Sequence, residues 1–133
     1  SYKHIYLGQP LTDDDKTIIK RRWIDACIDF KPKDLDLSGR KAVGYDVADS
    51  GDDLNSKTLV DGSICLYCDE WKGGEDELTK SAKNVRQLAK KHKAIVIYDS
   101  IGVGAHTGST LNDLEYYDHA KFNAGGKVIK PVT

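Results

Sequence analysis

The chain has 133 residues, 39% hydrophobic and 31% charged, with a formal net charge of −1. That balance excludes a disordered polyelectrolyte and a uniformly basic sheath for nucleic acid, and no apolar run approaches the roughly 20 residues of a membrane helix. The length suits one domain around one core.

The N-terminal "SYKHIYLGQP" carries neither an apolar h-region nor a small-residue cleavage site, so no signal peptide is expected. Methionine is absent throughout, which leads us to expect a piece of a longer protein. Three cysteines, Cys27, Cys65 and Cys68, argue against a disulfide framework and for a reducing compartment.

In chain order, residues 12–30 are predicted helical, with Ile19, Trp23, Ala26, Cys27 and Phe30 on one face and aspartates at the start. Residues 31–40, broken by Pro32 and Gly39, form a polar linker, and a boundary is placed at 38/39. "KAVGYDVA" (41–48) is a strand that climbs through apolar residues to Asp46. The acids Asp49, Asp52 and Asp53 behind it suit a turn or a solvated edge. "SKTLVDGSICLYCDEW" is predicted as two strands turning at Asp61-Gly62. Its Cys65-x-x-Cys68 spacing invites zinc. In a regular strand, however, residues i and i+3 face opposite ways, so core packing is expected instead.

Residues 75–92 form an amphipathic helix with Leu78, Ala82, Val85 and Leu88 or Ala89 inward. "KAIVIYD" (93–99) is a nearly continuous apolar run that predicts a strand buried on both faces and ending at Asp99. "GSTLNDLEYYDH" (108–119) is a further helix with Leu111, Leu114 and Tyr117 inward, and "AKFNA" (120–124) a last strand. The order β–β–β–α–β–α–β predicts an α/β domain. An antiparallel meander of three strands is followed by parallel strands reached through helices, making a mixed five-stranded sheet flanked by helices.

If the fourth strand pairs with the first, Asp46 and Asp99 end neighbouring strands about 4.8 Å apart. Like charges that close are costly when unpaired, and a divalent cation reverses the sign of the interaction. Mg²⁺ and Mn²⁺ favour oxygen ligands. Two such ions can support phosphodiester hydrolysis by water, with no Ser, Cys or His nucleophile. For either aspartate alone, turn formation is the competing reading.

The quoted pieces also carry a resemblance. "HIYLGQPL", a Trp-bearing helix, "VGYDVADSGDD", "AIVIYDSIGVGAHTG" and "FNAGGK", in that order, resemble the large terminase subunit of tailed phages or a prophage. The resemblance implies a ribonuclease-H-like nuclease domain over 39–133, cutting concatemeric duplex DNA during genome packaging in the cytoplasm of a bacterial host. Residues 1–38 would be the tail of the ATPase motor and its linker. The strand-one and strand-four acids that bind metal in that family match Asp46 and Asp99, with two Mg²⁺ or Mn²⁺ ions as cofactors. Partners would be duplex DNA, the small terminase subunit and the portal, with no membrane. The family's third metal-binding acid comes later than Asp113 and is expected past Thr133. Weak metal binding and poor cleavage are therefore expected of this chain alone.

Rival readings are a non-catalytic interaction module, with the acids as turn residues, and a ribonuclease-H-fold nucleotide-binding domain. "GVGAHTGST" (102–110) fails as a Walker loop, since Ser109 stands where the lysine belongs. It fails the dinucleotide pattern too, with Thr107 in place of the third glycine. His106 either helps position water or phosphate or is a solvent-exposed loop residue. Trp23 and Trp71 read as packing anchors. The clusters Lys20–Arg22 and Lys90–Lys93 are either solvated helix faces or a DNA footprint.

Overall fold

The computed structural model describes residues 16–30, 37, 39–48 and 52–127. The chain divides into two compact units, Ser1–Asp36 and Leu37–Thr133. Asp49, residues 12–15 of the predicted first helix and most of the linker lie outside the described residues.

In the first unit the predicted helix is shorter than its pattern: α1 spans Arg21–Cys27, and residues 18–19 are a bend. No residue of α1 is buried, and Trp23, expected as an anchor, is 50% exposed. Ile18 and Ile19 are β-branched and disfavour helix, and Lys20 at the N-cap supplies no side-chain acceptor. The helix carries its own ion pair, Arg21 Nε to Asp25 Oδ1 at 2.9 Å.

The second unit is built on five strands: β1 (Lys41–Asp46), β2 (Leu54–Asp61), β3 (Ile64–Lys72), β4 (Ile95–Asp99) and β5 (His119–Phe122). Their order across the sheet is β3-β2-β1-β4-β5. β1–β2 and β2–β3 are antiparallel, whereas β1–β4 and β4–β5 are parallel. This is the predicted mixed sheet, with the fourth strand beside the first. A 3₁₀ turn (Glu75–Glu77) leads into α2 (Leu78–His92), and a second one (Gly102–His106) leads into α3 (Thr107–Asp113).

One face of the sheet carries Val43, Tyr45, Leu59, Val96 and Tyr98, and it packs under Ala82, Val85 and Ala89 of α2 and Leu111 of α3. Trp71 is an anchor as expected: its ring stacks on Tyr45 at 6.1 Å, and its Nε1–H donates to Ser81 Oγ at 2.9 Å.

Several expectations shift. β4 is not buried on both faces. Its pattern alternates, with Val96 and Tyr98 buried while Ile97 is 36% exposed. Both helices of this unit lie on one face, so among the described residues nothing covers the other. The hairpin turns at Gly62-Ser63 rather than Asp61-Gly62, because Asp61 pairs with Ile64 as the last residue of β2. Gly62, at φ +57°, supplies the left-handed residue at the first turn position.

The two cysteines of β3 are exposed rather than packed in the core. A bulge lets Cys68 pair with Thr58 and Cys65 with Val60. Those partners are two apart, so both thiols share one face rather than opposite ones. α3 ends at Asp113, and Glu115 turns the chain at φ +58°; Tyr117 is therefore 71% exposed instead of inward. The last strand starts one residue earlier than predicted, at His119, whose ring tilts against Tyr98.

Candidate metal centre at two parallel strand ends

Asp46 and Asp99 are the terminal residues of β1 and β4. The parallel register runs to Tyr45↔Tyr98, so the two aspartates follow in step on adjacent strands. Both tyrosines point into the helix-covered core. Side chains alternate along a strand, so both aspartates face the uncovered side, and both are exposed. The strands are buried in the middle because Val43, Tyr45, Val96 and Tyr98 fill the core. They end in carboxylates where that core ends.

A shallow groove of about 310 Å³ runs over these ends. Its lining includes Gly44, Asp46, Ser56, Thr58, Ile97, Asp99 and Phe122. Ser56 sits directly across the antiparallel ladder from Asp46, and Thr58 across from Gly44. These two hydroxyls were missed in the sequence. The available signal was the alternation of β2, which sends Asn55, Lys57 and Leu59 to the core and Ser56 and Thr58 to the groove. Gly44 leaves the groove floor open: a Cβ there would meet only the Thr58 carbonyl oxygen, at 4.0 Å.

The loop after β4 holds Asp99 closely. Asp99 Oδ1 accepts the Ile101 N–H at 3.0 Å, an Asx-type turn. Gly102 takes φ +63°, and the chain folds back so tightly that a Cβ on Gly104 would lie 2.2 Å from the Asp99 carbonyl oxygen. Asp99 is thus both a turn residue and a carboxylate whose Oδ2 has no hydrogen-bond partner among the described residues. Asp46 has no side-chain partner among them.

Other sequence candidates fall elsewhere. Asp52 is fully exposed and pairs at 3.9 Å with Lys72. Asp118 pairs with Arg40 at 3.0 Å and precedes β5, at the end of the sheet opposite Asp99. Asp113 is exposed at the end of α3. The imidazole of His106 is exposed and has no partner among the described residues, while its carbonyl accepts the Ser109 and Thr110 hydroxyls. Among the described residues, no cluster of three or more His, Cys, Asp or Glu side chains forms. Two carboxylates at the mouth of a groove with hydroxyl neighbours are an oxygen donor set, which fits a hard divalent cation.

No protein-family model matches the sequence, and no curated protein matches it. Solved structures do. The nuclease domain of the large terminase subunit gp2 of bacterial virus Sf6 is similar at 20% identity and a TM-score of 0.62, over 84% of this chain and 50% of that one. A point mutant of that domain with manganese and beta-thujaplicinol aligns at 18% identity and a TM-score of 0.63, over 84% and 50%. A mutant gp2c of the same virus with calcium aligns at 24% identity and a TM-score of 0.56, over 79% and 48%. The chain thus spans about half the length of these structures.

The class that sheet order and connections define is a ribonuclease-H-like α/β domain. Within that class, the fold is the one seen in terminase nuclease domains. Among the described residues no helix is long and apolar enough to cross a membrane.

Proposed function

We propose that this chain is the metal-dependent endonuclease domain of a genome-packaging terminase, hydrolysing phosphodiester bonds of concatemeric duplex DNA. The observation that carries the reading is the arrival of Asp46 and Asp99, 53 positions apart in sequence, in step at the ends of adjacent parallel strands. They meet on the uncovered face of a fold shared with terminase nuclease domains. Related structures were solved with manganese and with calcium. The donor chemistry here suits the same kind of ion, and we assign Mg²⁺ or Mn²⁺.

Asp46 and Asp99 hold two such ions in this reading. Bound divalent ions supply water activation and stabilise charge building on the departing oxygen. The remaining work belongs to the chain. The Ile101 N–H fixes the orientation of the Asp99 carboxylate. The groove floor at Gly44 admits a backbone phosphate, and the Ser56 hydroxyl offers it a donor, whereas the Thr58 hydroxyl donates to Cys68 Sγ at 3.4 Å. Ile97 and Phe122 form an apolar wall beside it. Backbone contacts position DNA without reading bases, so sequence preference is slight. The first unit is read as the tail of the ATPase motor, and the small terminase subunit and the portal as partners, in the host cytoplasm.

The Asx turn at Asp99 is also what a passive module would show, and one substitution separates the two readings. Asp99→Asn keeps an oxygen for the Ile101 N–H and removes the charge. In a plasmid-nicking assay with Mn²⁺ at high chain concentration, the wild-type chain should nick slowly but measurably. Asp46→Asn and Asp99→Asn should each lose at least about a hundredfold in rate with unchanged thermal melts. Full activity in both variants would remove the assignment.

A further inference from the structure

The outward side of α2 has no role in the groove chemistry. Between Leu78 and Lys93 the chain carries six Lys or Arg residues and no Asp or Glu. Its buried side is Ser81, Ala82, Val85 and Ala89. Lys83, Lys90 and Lys91 are exposed and line a depression on the outer side, with half-buried Arg86 at its edge. None of these four has a carboxylate within ion-pair distance among the described residues; only Lys80 does, at 3.3 Å from Glu77. The Nε–H of Arg86 is buried without an acceptor.

Helix stability does not account for this pattern. Cations favour the last turn of a helix through its dipole, which covers Lys90 and Lys91. Lys80 lies in the first turn, where the dipole opposes it, and Lys83 lies beyond the reach of either end. Lys80–Lys83, Lys83–Arg86 and Arg86–Lys90 are like-charge neighbours at i,i+3 or i,i+4, which destabilise a helix. The overall charge is only −1, so this is segregation of charge and not a general excess.

The strip is also apart from the acids. β3 ends at Lys72, beside the Asp46 end of the sheet, and β4 begins at Ile95, paired with Ala42 at the other end. α2 therefore starts at the groove end and runs away from it. It lies on the helix-covered face, and its own width of about 10–12 Å separates the strip from the sheet. DNA seated over Asp46 and Asp99 on the far face is not the DNA this strip meets.

We infer that the outward side of α2 is a second docking surface for the phosphate backbone of duplex DNA, gripping a stretch other than the one cut. Charge complementarity identifies the occupant: the depression is lined by Lys83, Arg86, Gln87, Lys90 and Lys91, four of them cations. An adjoining groove that shares Gln87 and Lys91 is walled by Leu59, Leu66, Tyr67 and Leu88, which makes an acidic protein the rival occupant that the test must exclude. The inference rests on the reading of the chain as one that acts on duplex DNA, but not on its metal chemistry.

The test is the salt dependence of binding of a short DNA duplex to the full chain, in EDTA, by fluorescence anisotropy. Each neutralised phosphate contributes about 0.9 to the slope of log K against log salt. Replacing Lys83, Arg86, Lys90 and Lys91 by Gln should flatten the slope by about 3–4, and Lys83→Gln with Lys90→Gln alone by about 2. Lys83→Arg with Lys90→Arg and Lys91→Arg should leave it unchanged. Matching circular-dichroism melts establish that each variant is folded, and the double variant serves should the quadruple one unfold.

An unchanged slope in a folded Gln variant overturns the inference. So does tighter binding of a poly-glutamate peptide than of the duplex, lost in the same variants, which would point to an acidic protein. The assay contains EDTA, so no divalent ion contributes to the slope. Failure of the nuclease reading therefore shows in nicking and failure of this inference in the slope.

Discussion

Asp99 is held from three sides: by the strand that carries it, by the Ile101 N–H, and by a loop whose Gly104 leaves no room for a methyl group against the Asp99 carbonyl. Gly104→Ala must push that loop away from β4. We expect a loss of about 1–3 kcal/mol in urea unfolding, together with weaker nicking because the carboxylate moves. Tyr45 sits one residue before Asp46 and behaves quite differently. Burial raises its phenol from 10.0 to about 12, tempered by the nearby Ser81 hydroxyl. That hydroxyl accepts from Trp71 Nε1–H, and the buried Tyr45 Oη lies within no hydrogen-bond geometry among the described residues.

The raised value makes the neutral form the native one. Its contribution to stability is complete below pH 10. It is lost as pH rises through about 12, because the unfolded chain releases its proton first. Unfolding measured at pH 9 and pH 12 should differ by on the order of 2 kcal/mol from this group, and Tyr45→Phe should reduce the difference. Burial raises Tyr98 and Tyr116 in the same direction, so some dependence remains. The two aspartates were legible because each closes an apolar run with a charge. Ser56 and Thr58 were not, since a hydroxyl in a strand announces nothing until the register shows which face it shares.

At the scale of elements, periodicity worked where one face is buried. α2 matches its pattern, and Ala82, Val85 and Ala89 lie where a 3.6-residue period puts them. It ends at Lys93 in the left-handed region, φ +50°, a position that favours glycine. Lys93→Gly should therefore raise stability by up to about 1 kcal/mol in thermal or urea unfolding.

The apolar run of β4 misled because Ile95 and Ile97 read as core residues, yet Ile97 stands on the uncovered face. Composition reports hydrophobicity, not which side of a sheet a helix covers. The contrast is measurable: Val96→Ala should cost about 1–3 kcal/mol, and Ile97→Ala distinctly less. The bulge in β3 was equally invisible. One extra residue, Leu66, sits between the partners of Leu59 and Val60 and moves Cys65 to the face of Cys68. Both thiols are exposed, so both should react with a thiol reagent in the native state. α1 and the end of α3 failed for the opposite reason: a plausible helical period was present, but no described core receives Trp23, Phe30 or Tyr117.

At the scale of the whole molecule, the core formed by the described residues lies within the second unit, from Val43 to Leu111. A fragment beginning at residue 37 should therefore unfold cooperatively on its own, with a midpoint in urea close to that of the full chain. The order of elements sufficed to anticipate the mixed sheet, since a helical crossover from the third strand brings the fourth back parallel to the first. That single adjacency turns two separate turn-like acids into one carboxylate pair.

The most direct measurement of whether the pair binds metal is titration of Mn²⁺ into the chain, followed by electron paramagnetic resonance of the free ion. Wild type should bind. Asp46→Asn and Asp99→Asn should each weaken binding by at least about tenfold, although Asn at position 99 still satisfies the Ile101 N–H. Equal Mn²⁺ binding by wild type and both variants would contradict the account.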